Sequence, residues 1–335
     1  MADAAGVHRS TASRALDPAA THLVAREVSA RVQAAARQLG YRRDVVAASL
    51  RTKRSRLVGA VVPDIANPVF GPILAAMETE LRQNGFAAIV ANAGPDPEQQ
   101  AEVVEHLIAR RVEGLVLATV RQDDPVLTHC IQANVPTVLV NRAETGRRVS
   151  AVVSDDALGL RLAVEHLTSL GHRWIGHLAG PGHLSTGALR RRGYEDAMQA
   201  AGLAANIVVV EAEVYAREAG RAAARALLDR SAALTAVAAA NDLLALGLYE
   251  ELKARNLSCP DDVSVVGHND MPLVDMVAPP LTTIRIGHAE MGAEAARLLL
   301  RQIGESTPPV TRVTAPVLIV RGSTSAPVAS RRGAA

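Results

Sequence analysis

Ala5-Gly6-Val7-His8-Arg9-Ser10-Thr11-Ala12-Ser13-Arg14 reads as a tight turn followed by a short helix. Gly6 suits the turn, because glycine accepts a left-handed backbone that strains other residues. Val7 is an apolar plug, and the helix from Arg9 to Arg14 is polar along one side. Hydroxyl and guanidinium groups on such a helix reach phosphates and base edges in a major groove, as in a helix-turn-helix reader. An alanine-rich helix with a merely solvated Ser, Thr and Arg face has the same composition. The rest of the chain decides between the two.

Charge favours the reader. Residues 1–56 hold 11 Lys/Arg against 4 Asp/Glu, a net +7, while the remaining 279 residues carry a net −5. A basic head on a mildly acidic body is the footprint of a polyanion-binding module, and the apolar periodicity of this head separates it from a charged tail. At 335 residues the chain suits two or three domains. Hydrophobic residues make up 49% and aromatic residues 2%, so Ala, Val and Leu must fill the cores. Cys130 and Cys259 stand far apart without metal-ligand spacing, which points to inert thiols in a reducing compartment. No apolar run approaches the ~18 residues of a membrane span, and the first residues lack the apolar core of an export signal. A cytoplasmic protein without metal, cofactor or membrane partner is expected.

Residues 26–39 place Val28, Val32, Ala35, Ala36 and Leu39 at helical spacing, and Gly40 stops the run. Asp44 is a plausible cap for a short helix ending near Leu50, followed by a basic connector. From Leu57 the texture changes. Apolar runs at 57–62, 87–91, 114–118 and 137–140 alternate with helical segments near 71–84, 97–110 and 123–133. The alternation repeats with helices near 156–170, 184–201, 216–229 and 241–255 and strands at 173–178, 207–210, 235–239 and 263–267. A helix at 288–303 and a strand at 313–320 follow, the late chain completing earlier lobes. Strands apolar on both faces and separated by helices imply covered parallel sheets. Two doubly wound halves imply two lobes with a cleft, and ligands in such sheets bind beyond the carboxyl ends of the strands.

In this order the motifs resemble the LacI/GalR family of bacterial transcription regulators, over Ala2 to about Ser325. They are Ala-Gly-Val…Thr-x-Ser-Arg at 5–14, Leu-Gly-Tyr at 39–41, Ser-Leu-Arg at 49–51, Pro-Asp-Ile-Ala-Asn-Pro-Val-Phe at 63–70 and Arg-Arg-Val-Glu-Gly-Leu at 110–115. Glu-His-Leu…Leu-Gly-His-Arg at 165–173, Leu-Ala-Gly-Pro at 178–181, Ala-Asn-Asp-Leu-Leu-Ala-Leu-Gly at 240–247, Val-Ser-Val-Val-Gly at 263–267 and Pro-Pro-Leu-Thr-Thr-Ile at 279–284 complete the series. The resemblance implies an α/β protein with an amino-terminal helix-turn-helix domain (1–43), a hinge helix and linker (44–56) and a two-lobed core like that of periplasmic sugar-binding proteins. One lobe takes 57–155 with about 287–316, the other 156–286 with about 317–328, and 329–335 form a disordered tail. Such proteins bind pseudo-palindromic operator DNA as homodimers, a tetramer being left open, and a sugar-like metabolite controls their affinity.

The resemblance also carries residue roles. Arg9, Ser10 and Arg14 match base-edge readers, and Arg14 is suited to the O6 and N7 of a guanine. Thr11 and Ser13 match phosphate contacts. The alternative for Arg14 is a salt bridge on the helix face. Leu50 and the adjoining Arg51 match the hinge pair in which a leucine wedges into the minor groove. Packing within the hinge is the alternative for Leu50. This chain departs from the family in having Arg43 where a proline often stands and Ala48 where a basic residue does. The short hinge helix is expected to order only on DNA. The family's first helix begins several residues before Ala2, which leaves barely one turn here; an upstream extension of the reading frame is expected.

In the core, Val69, Phe70, Arg142, Asp155, Arg190, Asn241, Asp242 and Asn269 match effector-pocket positions. Arg forks with Asp and Asn oxygens suit vicinal hydroxyls, and an aromatic ring packs a sugar's C–H face. Asp155 and Asp242 are alternatively helix caps, and Arg190 alternatively a solvated arginine. Asn269 departs from the usual aspartate, which fits an effector that donates fewer hydroxyls or is more anionic. The Gly180–Gly187 loop lacks a Gly-Lys-Ser/Thr ending, His166, His172, His177 and His183 lack metal spacing, and no nucleophile–base pair stands out. An enzyme is therefore disfavoured. The competing class is a solute-binding protein of the same core fold, against which the basic head argues.

Overall fold

The computed structural model describes residues 1–16, 20–41, 54–305 and 307–328. The expected hinge helix with Leu50 and Arg51, and the expected tail at 329–335, lie outside them. The chain forms two compact units, Met1–Arg56 and Leu57–Ala335.

In the first unit, residues 2–5 make a single turn: Ala5 N–H donates to Met1 O at 3.0 Å and Val7 N–H to Ala2 O at 3.1 Å. Gly6 adopts φ +62°, the conformation read for it. Helix α1 (Arg9–Ala15) then starts at His8, whose Nδ1 accepts from the Ser10 N–H at 3.3 Å. Helix α2 (Arg26–Gln38) packs its inner face against α1, burying Ala5, Ala12, Ala15, Val32 and Ala35 together. Gly40 closes α2 at φ +59°, where Tyr41 N–H donates to Ala36 O at 2.8 Å, a left-handed glycine stop.

The second unit alternates strand and helix. Its first half runs β1 (Leu57–Val62), α3 (Phe70–Gln83), β2 (Ala87–Asn92), α4 (Pro97–Ala109), β3 (Gly114–Leu117), α5 (Pro125–Gln132), β4 (Thr137–Val140) and β5 (Ser150–Ser154). The second half runs α6 (Asp156–Ser169), β6 (Ile175–Ala179), α7 (Ser185–Ala200), β7 (Val208–Glu211), α8 (Arg217–Arg230), β8 (Ala236–Ala239), α9 (Asp242–Ala254), β9 (Ser264–Asn269) and β10 (Thr282–Arg285). Helix α10 (His288–Gly304) and strands β11 (Thr311–Thr314) and β12 (Val317–Ile319) finish it. Caps mark several starts: Asp96 and Asp124 each accept a backbone N–H and are each followed by proline at the first helical position.

Two six-stranded sheets result. The first has the order β11-β5-β4-β3-β1-β2 and is parallel throughout. The second has the order β12-β10-β9-β8-β6-β7 and is parallel except for β12. Both are covered on two faces. On β1, Val58, Ala60 and Val62 enter one core with α3 and α10, while Val61 enters the opposite core with Leu107 and Leu127. That is why the strand reads as an unbroken apolar run. Helix α10, from the late chain, packs on α3 and on β3, β4 and β5. The chain passes between lobes three times, after β5, after β10 and between β11 and β12.

One expected element is corrected. The single strand read at 313–320 is two, broken at Ala315-Pro316, and they join different sheets. Proline has no N–H for a ladder, so the chain leaves one sheet there and enters the other. Strands β5 and β10 had not been read as strands at all. No helix among the described residues is long and apolar enough to cross a membrane.

Candidate functional site

Two surfaces carry the chemistry. On α1, Arg9, Ser10 and Arg14 are exposed while Ala12 and Ala15 face the core. Neither Arg9 nor Arg14 has an ion pair among the described residues. Thr11 and Ser13 are half-buried on the same helix. The helix therefore presents two arginines and a hydroxyl on one polar face, with His8 Nδ1 also within 2.8 Å of Ser10 Oγ.

The second surface is the cleft between the lobes of the Leu57–Ala335 unit. A recess of about 20 Å3, room for a single water, is lined by Asn67, Val69, Phe70, Asn141, Arg142, Thr186, Arg190, Tyr215, Asn241 and Asn269. Most of these stand just past a strand's carboxyl end, where helices begin and backbone groups are free to face a ligand. Asn67 Oδ1 accepts Val69 N–H at 3.2 Å and sets the entrance to α3. Asn141 follows β4 at φ +66°, and Asn269 ends β9 at φ +114°. Non-glycine residues held at positive φ are uncommon and collect at functional sites. Outward, the cleft widens into a chamber of about 420 Å3 that shares Asn67, Arg142 and Tyr215 with the recess. Direct bonds join the lobes beside it: Ala143 N–H donates to Ser185 Oγ at 3.0 Å, and Gln122 Nε2 to Gly182 O at 3.2 Å.

Arg190 anchors the recess floor. Its Nε donates to Asp156 Oδ1 at 2.7 Å, Nη1 to Ala240 O at 2.6 Å and Nη2 to Asn269 Oδ1 at 3.3 Å. Both partners of the ion pair are 3% exposed. Burial alone would raise the Asp156 carboxyl, but Arg190, with His268 Nε2 at 3.5 Å from the same oxygen, holds it below the ordinary value. The pair fixes the guanidinium, whose central carbon stands over the Tyr215 ring 5.9 Å from its centroid. Burial pushes His268 and His177 down to about 4, so both rings are neutral near pH 7.

Of the residues singled out in the sequence, Val69, Phe70, Arg142, Arg190, Asn241 and Asn269 meet in this recess. Asp155 and Asp242 do not line it. Asp155 Oδ1 accepts Leu158 N–H at 2.9 Å and caps α6. The cap of α9 is Asn241, whose Oδ1 accepts Leu244 N–H at 2.8 Å, and Asp242 instead points back to the second sheet. There it accepts from Thr283 Oγ1 at 2.5 Å and Met271 N–H at 2.8 Å, and burial pushes its carboxyl up to about 7. The carboxylate that serves the recess is Asp156, one residue beyond the one singled out. Asn67, Asn141, Thr186 and Tyr215 were missed. All four stand past the carboxyl end of a strand, which the sheet rule marks, Tyr215 following the edge strand β7.

Known proteins match this chain over most of its length. The periplasmic binding protein-like domain family matches residues 164–324. The HTH-type transcriptional regulator DegA of Bacillus subtilis is 31% identical over 97% of both chains. A structure of the transcriptional regulator CelR in complex with cellobiose superposes with a TM-score of 0.74 at 32% identity, over 96% of this chain and 98% of that one. A lac repressor dimer bound to operator and the anti-inducer ONPF gives a TM-score of 0.85 at 28% identity, over 97% and 98%.

Proposed function

The chain belongs to the LacI/GalR family of bacterial transcription regulators, and on that premise we infer that it binds a pseudo-palindromic operator as a dimer under the control of a sugar or sugar derivative held in the cleft. It acts by binding rather than by turnover, in the cytoplasm. The observation that carries the reading is the recess itself: six residues from both lobes, singled out by resemblance, converge on one cavity. Amides, hydroxyls and guanidinium forks suit a polyhydroxylated ligand, and Phe70 and Tyr215 offer apolar ring faces.

The control is a population shift. A ligand that touches both lobes favours one degree of closure over another, because it gains contacts in only one of them. Closure moves the passages between β5 and α6 and between β10 and α10, and DNA affinity follows by the coupling free energy, typically ~1–3 kcal/mol.

The test of the DNA half is gel retardation with an operator selected from a random duplex pool. Arg14→Ala is expected to weaken operator binding by about 10- to 100-fold while random DNA loses far less, since a bidentate guanine contact is worth ~1–3 kcal/mol of discrimination. Equal loss on both duplexes reduces Arg14 to a phosphate contact.

A further inference from the structure

The two arginines of the recess are not alike. Arg190 is neutralised by Asp156 at 2.7 Å. Arg142 is 8% exposed, its Nη1 donates only to the Thr119 carbonyl at 3.2 Å, and its Nε has no partner. It forms no ion pair among the described residues. The carboxylate that attracts it, Asp124, is committed elsewhere: its two oxygens accept Val126 N–H and Arg121 N–H, each at 2.8 Å. Arg190 and Arg121 both repel it. Burial, with that repulsion, lowers its pKa to about 10, so the guanidinium is still charged at neutral pH.

A buried cation with neither carboxylate nor full hydrogen bonding costs stability, and such a group is usually paired. The recess supplies no answer. Its other lining groups are amides, hydroxyls, apolar side chains and the already paired Arg190, and none is a carboxylate. Asn269, uncharged, spends its Oδ1 on the Arg190 guanidinium at 3.3 Å. Asp64 and Glu213 stand on the exposed rim of the outer chamber. No side chain lining the recess supplies the counter-charge.

We propose that the cleft takes an effector bearing an anionic group, a carboxylate or a phosphate ester, which binds Arg142 at the junction of recess and chamber. This rests on the cleft being the effector site. Arg142 reaches both spaces, so the anion sits between a ring held over the recess and whatever extends into the chamber.

The test is thermal melting of the full-length chain with acetate, inorganic phosphate, glucuronate and glucose, each against chloride at equal ionic strength. At least one anion raises the midpoint of the wild type by about 3 °C through linkage, and glucose does no more than glucuronate. Arg142→Gln removes the anion shift and Arg142→Lys keeps part of it. Acetate against phosphate separates the carboxylate from the phosphate source. Without ligand, Arg142→Gln melts no lower than the wild type, because an unpaired buried charge has been removed. Anion shifts equal in wild type and Arg142→Gln, or a glucose shift above that of every anion, overturn the proposal. Operator retardation by the same samples tells this failure from failure of the regulator reading.

Discussion

Arg190→Met is expected to lower the unfolding free energy by about 3–5 kcal/mol, the cost of leaving one member of a buried ion pair alone. Asp156 is 3% exposed and would keep only a neutral His268 near it. The carbonyl of Ala240 and the amide oxygen of Asn269 would lose their donor as well. The double variant Asp156→Leu with Arg190→Met recovers most of this stability, since both charges leave together. It does not recover ligand binding, because the recess still lacks its guanidinium. Urea midpoints and ligand-induced melting shifts measure the two effects separately. A single variant as stable as the wild type would show that the pair is not what holds the recess.

Gly292→Val is expected to destabilise the first lobe by about 3 kcal/mol, the upper end for overpacking. A Cβ at Gly292 collides with the carbonyl oxygen of Ile73, where α10 crosses α3. That oxygen is backbone inside a helix and cannot rotate away like a side-chain tip. The clash reaches the site, because α3 begins at Phe70 and carries the recess wall. Gly304→Ala is the control: a Cβ there meets nothing within 4 Å, and the change should stay within about 0.5 kcal/mol. Similar urea midpoints for the two variants would contradict this account of how late chain completes the first lobe.

Much of this architecture is legible in the sequence because both sheets are covered on two faces. An unbroken apolar run of six residues such as Leu57–Val62, set between helical segments, fits a strand buried on both sides, and it is one. What escaped has a physical cause. Ser150–Ser154 and Thr282–Arg285 carry polar Ser, Thr or Arg at both ends, too polar to register as apolar runs. The alternation through Pro316 hid a passage between lobes inside one apparent strand.

In the site, the resemblance named the right loops, but the chemistry within a loop depends on backbone direction. Asp155 and Asp156 are neighbours in sequence, yet one turns back to cap α6 and the other points inward to Arg190. Asn241 and Asp242 divide in the same way, the first capping and lining, the second facing the sheet. Spacing alone does not resolve a one-residue choice at a helix start, where successive side chains diverge by about 100°.

The most direct measurement is the operator affinity of the full-length chain with and without a small molecule that raises its melting midpoint. The affinity is expected to change by about 5- to 150-fold, the span of ~1–3 kcal/mol of coupling. By reciprocity, operator DNA must change the affinity for that molecule by the same factor. A ligand whose stabilisation depends on Arg190, but which leaves operator affinity unchanged, would contradict the claim that the cleft controls DNA binding.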